Sequence, residues 1–161
     1  MIFFKFFYRL NTILKIMFFK IVYGKNLKIG KKLSFRKGFS LIIDGAEAKI
    51  SIGDNCFFNN FCTVAARNYI KIGDYSIFGE NVKIYDHNHL YSDIEIPIKN
   101  QGYSDSPVVI GKHCWIASNV VILKGVTIGD HCIIGAGCIV YENIPDHSIL
   151  INKQQQTLKT K

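Results

Sequence analysis

The side chains best suited to move a proton gather in one stretch of this sequence. Asp86-His87-Asn88-His89 carries two of the five histidines, and imidazole is the side chain that ordinarily changes charge near neutral pH. His113 and His131 lie 18 residues apart and would attract a metal if a third ligand joined them. None stands in their register, so no metal site is expected. The five cysteines, Cys56, Cys62, Cys114, Cys132 and Cys138, are an odd count without a CxxC pair. That pattern speaks against a disulfide scaffold and against a zinc or redox pair.

A repeat positions these groups. The phrase Leu27-Lys-Ile29-Gly30 recurs as Ile50-Ser-Ile52-Gly53, Ile70-Lys-Ile72-Gly73, Val108-Val-Ile110-Gly111 and Val126-Thr-Ile128-Gly129. From Ile110 the inward candidates fall every six residues, at Ile116, Ile122, Ile128, Ile134 and Val140. The same step links Ile72, Phe78 and Ile84, and separately Ile52, Phe58 and Val64. A period of six is neither helical nor simple alternation, so each hexapeptide is predicted to be one short strand plus a turn. Three of them return the chain one layer higher, as a parallel β-helix of triangular section that buries its core by stacking coils. About five coils fit between Ile29 and Ile144.

The fifth position of the hexapeptide also faces inward, and all five cysteines occupy it. They are expected as small, weakly polar fillers of a tight corner. The fourth position holds Asn55, Tyr75, His113 and His131, and is expected to be a turn corner open to left-handed backbone. The register breaks once, between Ile84 and Ile110. The excess, Asp86 to Pro107, is rich in His, Asp, Asn, Tyr and Pro and is expected as a loop expelled from a rigid solenoid, where function concentrates.

A chain of 161 residues suits one domain, and 48% hydrophobic against 20% charged residues excludes wholesale disorder. The net charge of +8 is not spread evenly. Residues 1–37 hold ten basic side chains and no acid, and the remainder carries ten basic against twelve acidic groups, a net of −2. The basic character belongs to an arm, which disfavours a nucleic-acid-binding fold. In residues 1–24, Lys5, Arg9, Lys15 and Lys20 interrupt any run of the ~18 apolar residues that a membrane span needs. On a helical wheel they share an arc with Thr12, opposite Phe3, Phe6, Phe7, Leu10, Ile13, Leu14, Met17, Phe18 and Ile21. Phe4, Tyr8 and Phe19 intrude on the polar side. This pattern predicts a basic amphipathic helix lying in a membrane interface through residues 1–23. Its alternative is an apolar face packed on the protein's own body or on a sister subunit. The expected divisions are the helix (1–24), the repeat domain (25–147, with its loop at 86–107) and a C-terminal tail (148–161).

The loop Asp86-His-Asn-His89, the phrase Ile110-Gly-Lys-His-Cys-Trp115-Ile-Ala-Ser118, then Gly125-Val-Thr-Ile-Gly-Asp130 and Ile134-Gly-Ala-Gly137 together resemble the left-handed β-helix acyltransferases. The resemblance is to the maltose/galactoside O-acetyltransferase type, nearest its relatives that acetylate capsule or lipopolysaccharide. It implies an all-β, left-handed parallel β-helix, an acetyl-CoA donor without a metal, a sugar acceptor, and a cytoplasmic homotrimer with sites between subunits. The N-terminal helix would add a peripheral position on the inner face of the cytoplasmic membrane. By that resemblance His89 is the general base that activates a poorly nucleophilic hydroxyl, with His87 and Asp86 shaping the loop or meeting the acceptor. Trp115 walls the acetyl pocket, while Ser118 and Ala136 offer main-chain contacts to the pantetheine arm. Asn59 and Asn60 match acceptor-contacting positions. Arg67 replaces an acid there and would suit an acidic sugar. Tyr141 stands where the family carries a Thr-Lys pair, leaving Lys124 and Lys153 as candidates for the coenzyme phosphates. N-acetylation of an amino-sugar or xenobiotic, and a non-catalytic scaffold, are the alternatives.

Overall fold

The computed structural model describes residues 2–153, with side chains described from residue 9. The expectations that rest on the side chains of Phe3, Phe4, Lys5, Phe6, Phe7 and Tyr8, and on the tail beyond Lys153, lie outside the described residues. An α-helix, Ile2–Tyr23, leads by a 3-10 turn, Gly24–Asn26, into a solenoid with three parallel faces. The first face stacks Leu27–Ile29, Lys49–Ile52, Tyr69–Ile72, Val108–Ile110 and Thr127–Ile128. The second stacks Ser34–Phe35, Phe57–Phe58, Ile77–Phe78, Trp115–Ile116, Ile133–Ile134 and Ile149–Leu150. The third stacks Ser40–Ile43, Thr63–Ala66, Lys83–Tyr85, Val121–Ile122 and Ile139–Val140. Five full coils result, and the bridge from Ile128 to Ile144 opens a partial sixth.

The hexapeptide register predicts the interior residue by residue. Ile52, Phe58, Val64, Ile72, Phe78, Ile84, Ile110, Ile116, Ile122, Ile128, Ile134 and Val140 are all buried, in register with their counterparts one coil away. The glycine after each first-face strand is needed for close approach between coils: a Cβ on Gly73 would stand 2.6 Å from the Gly111 carbonyl carbon. The expected corner is left-handed at each named residue, with φ of 55° at Asn55, 57° at Tyr75, 56° at His113 and 57° at His131. Asn119, with φ 60°, repeats the device at a second corner.

The five cysteines are free and buried, and Cys62 Sγ donates to the Gly79 carbonyl at 3.0 Å. Burial pushes the Cys56, Cys62, Cys114 and Cys138 thiols up, so little thiolate forms and they are inert. Ellman's reagent at pH 8 is expected to find none of the five in the native protein within minutes and all five in denaturant. Fast native labelling of any one would contradict the packing role.

The fourth-position corner carries one ring more than the sequence reading counted. Tyr75, His113, His131 and His147 stack with near-parallel rings, at 5.0, 4.8 and 5.1 Å between successive centroids. His147 sits three residues after Ile144, in the partial coil, where the six-residue step from Val140 no longer holds. Parallel stacking does not aim the ring nitrogens at a common point, and no metal-holding group of His, Cys, Asp or Glu occurs among the described residues.

The N-terminal helix packs across the first coil through Thr12, Ile16, Phe19 and Tyr23. Phe19 meets Phe39 edge-on at 6.4 Å, and the Tyr23 hydroxyl donates to the Leu41 carbonyl at 3.1 Å. Phe19, one of the aromatics that intrude on the polar arc, is therefore the anchor that caps the solenoid's open end. The broad apolar stripe faces away from the solenoid: Leu10, Ile13, Leu14, Met17, Phe18 and Ile21 are exposed. No helix among the described residues is long and apolar enough to cross a membrane.

Candidate active site

The loop leaves the solenoid where the third face ends. Its first segment, His87–His89, pairs antiparallel with Tyr103–Asp105, joining His87 to Asp105 and His89 to Tyr103 in register. This hairpin stem brings the loop's exit back beside its entrance and is fastened to the turn after the third-face strand Val121–Ile122. Lys124 Nζ donates to Ser104 Oγ at 2.8 Å, and the Gly125 N–H donates to the Ser106 carbonyl at 3.1 Å. Between the two strands of the stem, residues 90–100 are exposed.

Asp86 anchors the entrance and is fully buried. Its Oδ1 accepts the Arg67 N–H at 2.8 Å and faces His87 Nδ1 at 2.9 Å, while Oδ2 accepts the Asn68 N–H at 2.8 Å. A carboxylate that accepts two main-chain N–H groups favours an Nδ1–H tautomer on the third partner. The His87 Nε2 lone pair is then left to take a proton. His87 is largely buried, with Tyr103 and Tyr85 edge-on at 5.7 and 6.2 Å. His89 is exposed and lies against Tyr103 at 4.4 Å, without a carboxylate partner among the described residues.

Arg67 is not a free cation for an acceptor. Its guanidinium pairs with Asp44 and lies 3.7 Å from the centroid of Tyr103, and its neighbour Asn68 donates to Asp105 Oδ2 at 2.8 Å. Arg67 is thereby committed to holding the loop stem against the second coil, which weakens the case for an acidic sugar. Tyr103, Asn68, Asp44 and Asp105 were missed by sequence reasoning. The antiparallel stem that recruits them has no signature in a six-residue register. Lys124 is likewise held by the stem, so its ammonium serves the loop in this structure.

Most of the other predicted site residues lie on or after the second face. Trp115 lies on the second face, half-exposed and paired in register with Ile77 and Ile133. Ser118 and Ala136 follow second-face strands, as do Asn59 and Asn60, so all four lie where the second face turns into the third. There Asn60 Nδ2 donates to Glu80 Oε1 at 2.8 Å, and the Glu80 N–H donates to Ser118 Oγ at 3.1 Å. Lys153 follows the last second-face strand near this corner and is exposed, whereas exposed Tyr141 follows a third-face strand on the loop's side. The residues singled out in the sequence thus lie on different edges of the prism.

Fold and repeat define the class: a solenoid of hexapeptide repeats whose fold matches that of the left-handed β-helix acetyltransferases. Residues 107–142 match the family described as bacterial transferase hexapeptide (six repeats). Among solved structures, the chain is similar to a hexapeptide-repeat acetyltransferase from Vibrio cholerae, at 27% identity over 76% of this chain and 66% of that one, with a TM-score of 0.65. That protein has also been solved with acetyl coenzyme A. A maltose O-acetyltransferase from Clostridium difficile 630 is 29% identical over 81% of this chain and 67% of that one, with a TM-score of 0.63. A galactoside acetyltransferase in complex with coenzyme A is 32% identical over 74% of this chain and 60% of that one, with a TM-score of 0.58. The chain spans about two thirds of the length of these relatives.

Proposed function

We propose that this protein transfers acetyl from acetyl-CoA to a sugar hydroxyl of a surface polysaccharide or its precursor, in one step within a ternary complex. The observation that carries the reading is the buried Asp86 carboxylate against His87 at the mouth of the expelled loop. An acceptor hydroxyl gives its proton to an imidazole as its oxygen attacks the thioester carbonyl, and coenzyme A leaves as the thiol. Of the two loop histidines, the geometry favours His87 over the expected His89, because only His87 has an orienting carboxylate.

The reading includes a homotrimer. Two half-sites on different edges suit a symmetric assembly in which the loop of one copy faces Trp115, Ser118 and Ala136 of the next. The exposed apolar side chains of the loop, Tyr91, Ile94 and Ile98, fit a subunit contact better than open water. Asn59, Asn60, Tyr141 and Lys153 remain proposed contacts for acceptor and coenzyme. Attachment of residues 1–23 to the inner face of the cytoplasmic membrane belongs to the same proposal, supported by the outward apolar stripe.

The test is release of free thiol from acetyl-CoA by the full chain with a panel of glycans, with products read by mass spectrometry. Acceptor-dependent thiol release and an alkali-labile acetyl group are expected. An alkali-stable product assigns the enzyme to amines, and no release with any acceptor overturns the reading.

A further inference from the structure

A groove of about 910 Å³ runs between the N-terminal helix and the first coil, far from the loop histidines along the chain. Its floor is apolar, built from Ile16, Leu33, Phe35 and Phe57. Four cations line it: Arg9 and Lys20 from the helix, Lys32 and Arg36 from the first coil. No carboxylate lines it, and none of the four cations forms an ion pair among the described residues. Lys32 is placed there by a left-handed corner, with φ 56°, and Arg36 leans over the Phe57 ring at 5.8 Å. Four cations held around an apolar trough without counter-charge are complementary to an anion that carries a hydrocarbon chain.

The groove's setting narrows that occupant. Ile13 lines the groove and also belongs to the outward stripe with Leu10, Leu14, Met17, Phe18 and Ile21, which is 43–80% exposed from Leu10 to Ile21. At 100° per residue, Arg9 and Lys20 stand between this stripe and the packing face of Thr12, Ile16, Phe19 and Tyr23. The cations therefore sit at the level where a helix lying in a bilayer interface meets phosphate, one row above side chains that would enter the acyl region.

We propose that the groove is a binding site for an anionic phospholipid of a membrane surface. The phosphate lies among Arg9, Lys20, Lys32 and Arg36, and part of an acyl chain lies on Phe35 and Phe57. The site rests on the membrane contact proposed above and adds to it a headgroup preference. Sedimentation of the full chain with vesicles separates the two. Binding is expected to vesicles of phosphatidylcholine with 30% phosphatidylglycerol, with at least about tenfold weaker binding to phosphatidylcholine alone. It should weaken sharply in 0.5 M salt, as screening predicts.

The quadruple variant R9Q/K20Q/K32Q/R36Q is expected to lose about 100-fold in affinity for the anionic vesicles. K25Q/K28Q/K31Q/K37Q removes the same charge outside the groove and should lose less than about tenfold. An equal loss in both reduces the effect to general charge and overturns the site. M17S/F18S/I21S leaves the groove intact and tests the membrane contact by itself, with loss of binding to either vesicle expected. Absence of sedimentation by the unaltered chain overturns both proposals, as would an assembly in which a sister subunit covers the stripe. Retained α-helical circular dichroism and melting temperature in each variant separate lost binding from lost folding. If 10 mM inorganic phosphate displaces the chain from anionic vesicles at constant ionic strength, the site reads free phosphate and the lipid assignment fails.

Discussion

Replacing His87 with Ala is expected to lower acetyl transfer to a sugar acceptor by about 10²- to 10⁴-fold, the range for removal of a positioned general base. The effect should fall on kcat, because the imidazole acts on the proton in flight and not on the resting hydroxyl. His89→Ala should cost less than about tenfold, since that ring is exposed against Tyr103 and has no carboxylate to orient it. The two single variants, assayed with saturating acetyl-CoA and the acceptor found in the glycan panel, decide the assignment. A reversal, with His89→Ala dead and His87→Ala active, gives the base role to His89 and leaves Asp86–His87 as scaffolding. Asp86→Ala is expected to cost stability as well as rate. It removes the acceptor of the Arg67 and Asn68 N–H groups, both part-buried, so each costs at most about 1 kcal/mol, the lower end for an unsatisfied buried donor.

Phe58→Ala should be the most damaging single change to the fold, at about 3–5 kcal/mol. The ring is fully buried and stacks on Phe78 at 4.3 Å with a 7° interplanar angle, while Phe39 lies 4.8 Å to its other side and Phe35 beyond that at 4.6 Å from Phe39. These aromatics fill the wide lower coils where the upper coils use isoleucine. A solenoid passes stability from layer to layer through nearest neighbours, so a void at Phe58 uncouples the helix-capped first coil from the site-bearing coils above. Thermal unfolding should show the melting temperature falling by about 10 °C. Phe58→Leu refills most of the volume and should fall by much less. An unchanged midpoint for Phe58→Ala would mean that the lower coils do not unfold with the rest.

Much of the architecture was legible because a β-helix is local in its logic. Whether residue 116 or 134 faces inward depends on its place in its own hexapeptide. The corner residues announce themselves in the same way: Asn55, His113 and His131 take left-handed angles at positions read by counting from the last isoleucine. The cysteines are legible as fillers for the same reason. The reading of one corner does not reach the others: Phe61, Asn81 and Asn119 are left-handed at a second corner, and His147 lies in the incomplete coil.

The site was legible in composition but not in geometry. Asp86, His87 and His89 stand out as polar groups beside a rigid repeat. Nothing in their spacing says which imidazole meets a buried carboxylate, because that follows from the pairing of His87–His89 with Tyr103–Asp105 across the loop. The binding of Arg67 to Asp44 and Tyr103 joins residues from the first coil, the second coil and the loop's exit. Such contacts arise only when separate coils have stacked. The separation of Trp115, Ser118 and Ala136 from the loop histidines is also a property of the assembled prism, since near neighbours in sequence stand on different edges.

The same division holds for the N-terminal helix. Its sequence determined that it is helical, with a basic arc that Phe19 interrupts and a broad apolar stripe opposite, since these depend on residues three and four apart. Only the tertiary structure decided that the narrower arc, Thr12, Ile16, Phe19 and Tyr23, packs on the solenoid and leaves the broader stripe outside. That choice depends on the shape of the first coil. Phe39 and the Leu41 carbonyl offer a ring and a hydrogen bond to Phe19 and Tyr23, whereas hydrophobicity alone favours whichever arc is larger. Periodicity is written in neighbouring residues, and partnership between distant surfaces is decided by their fit.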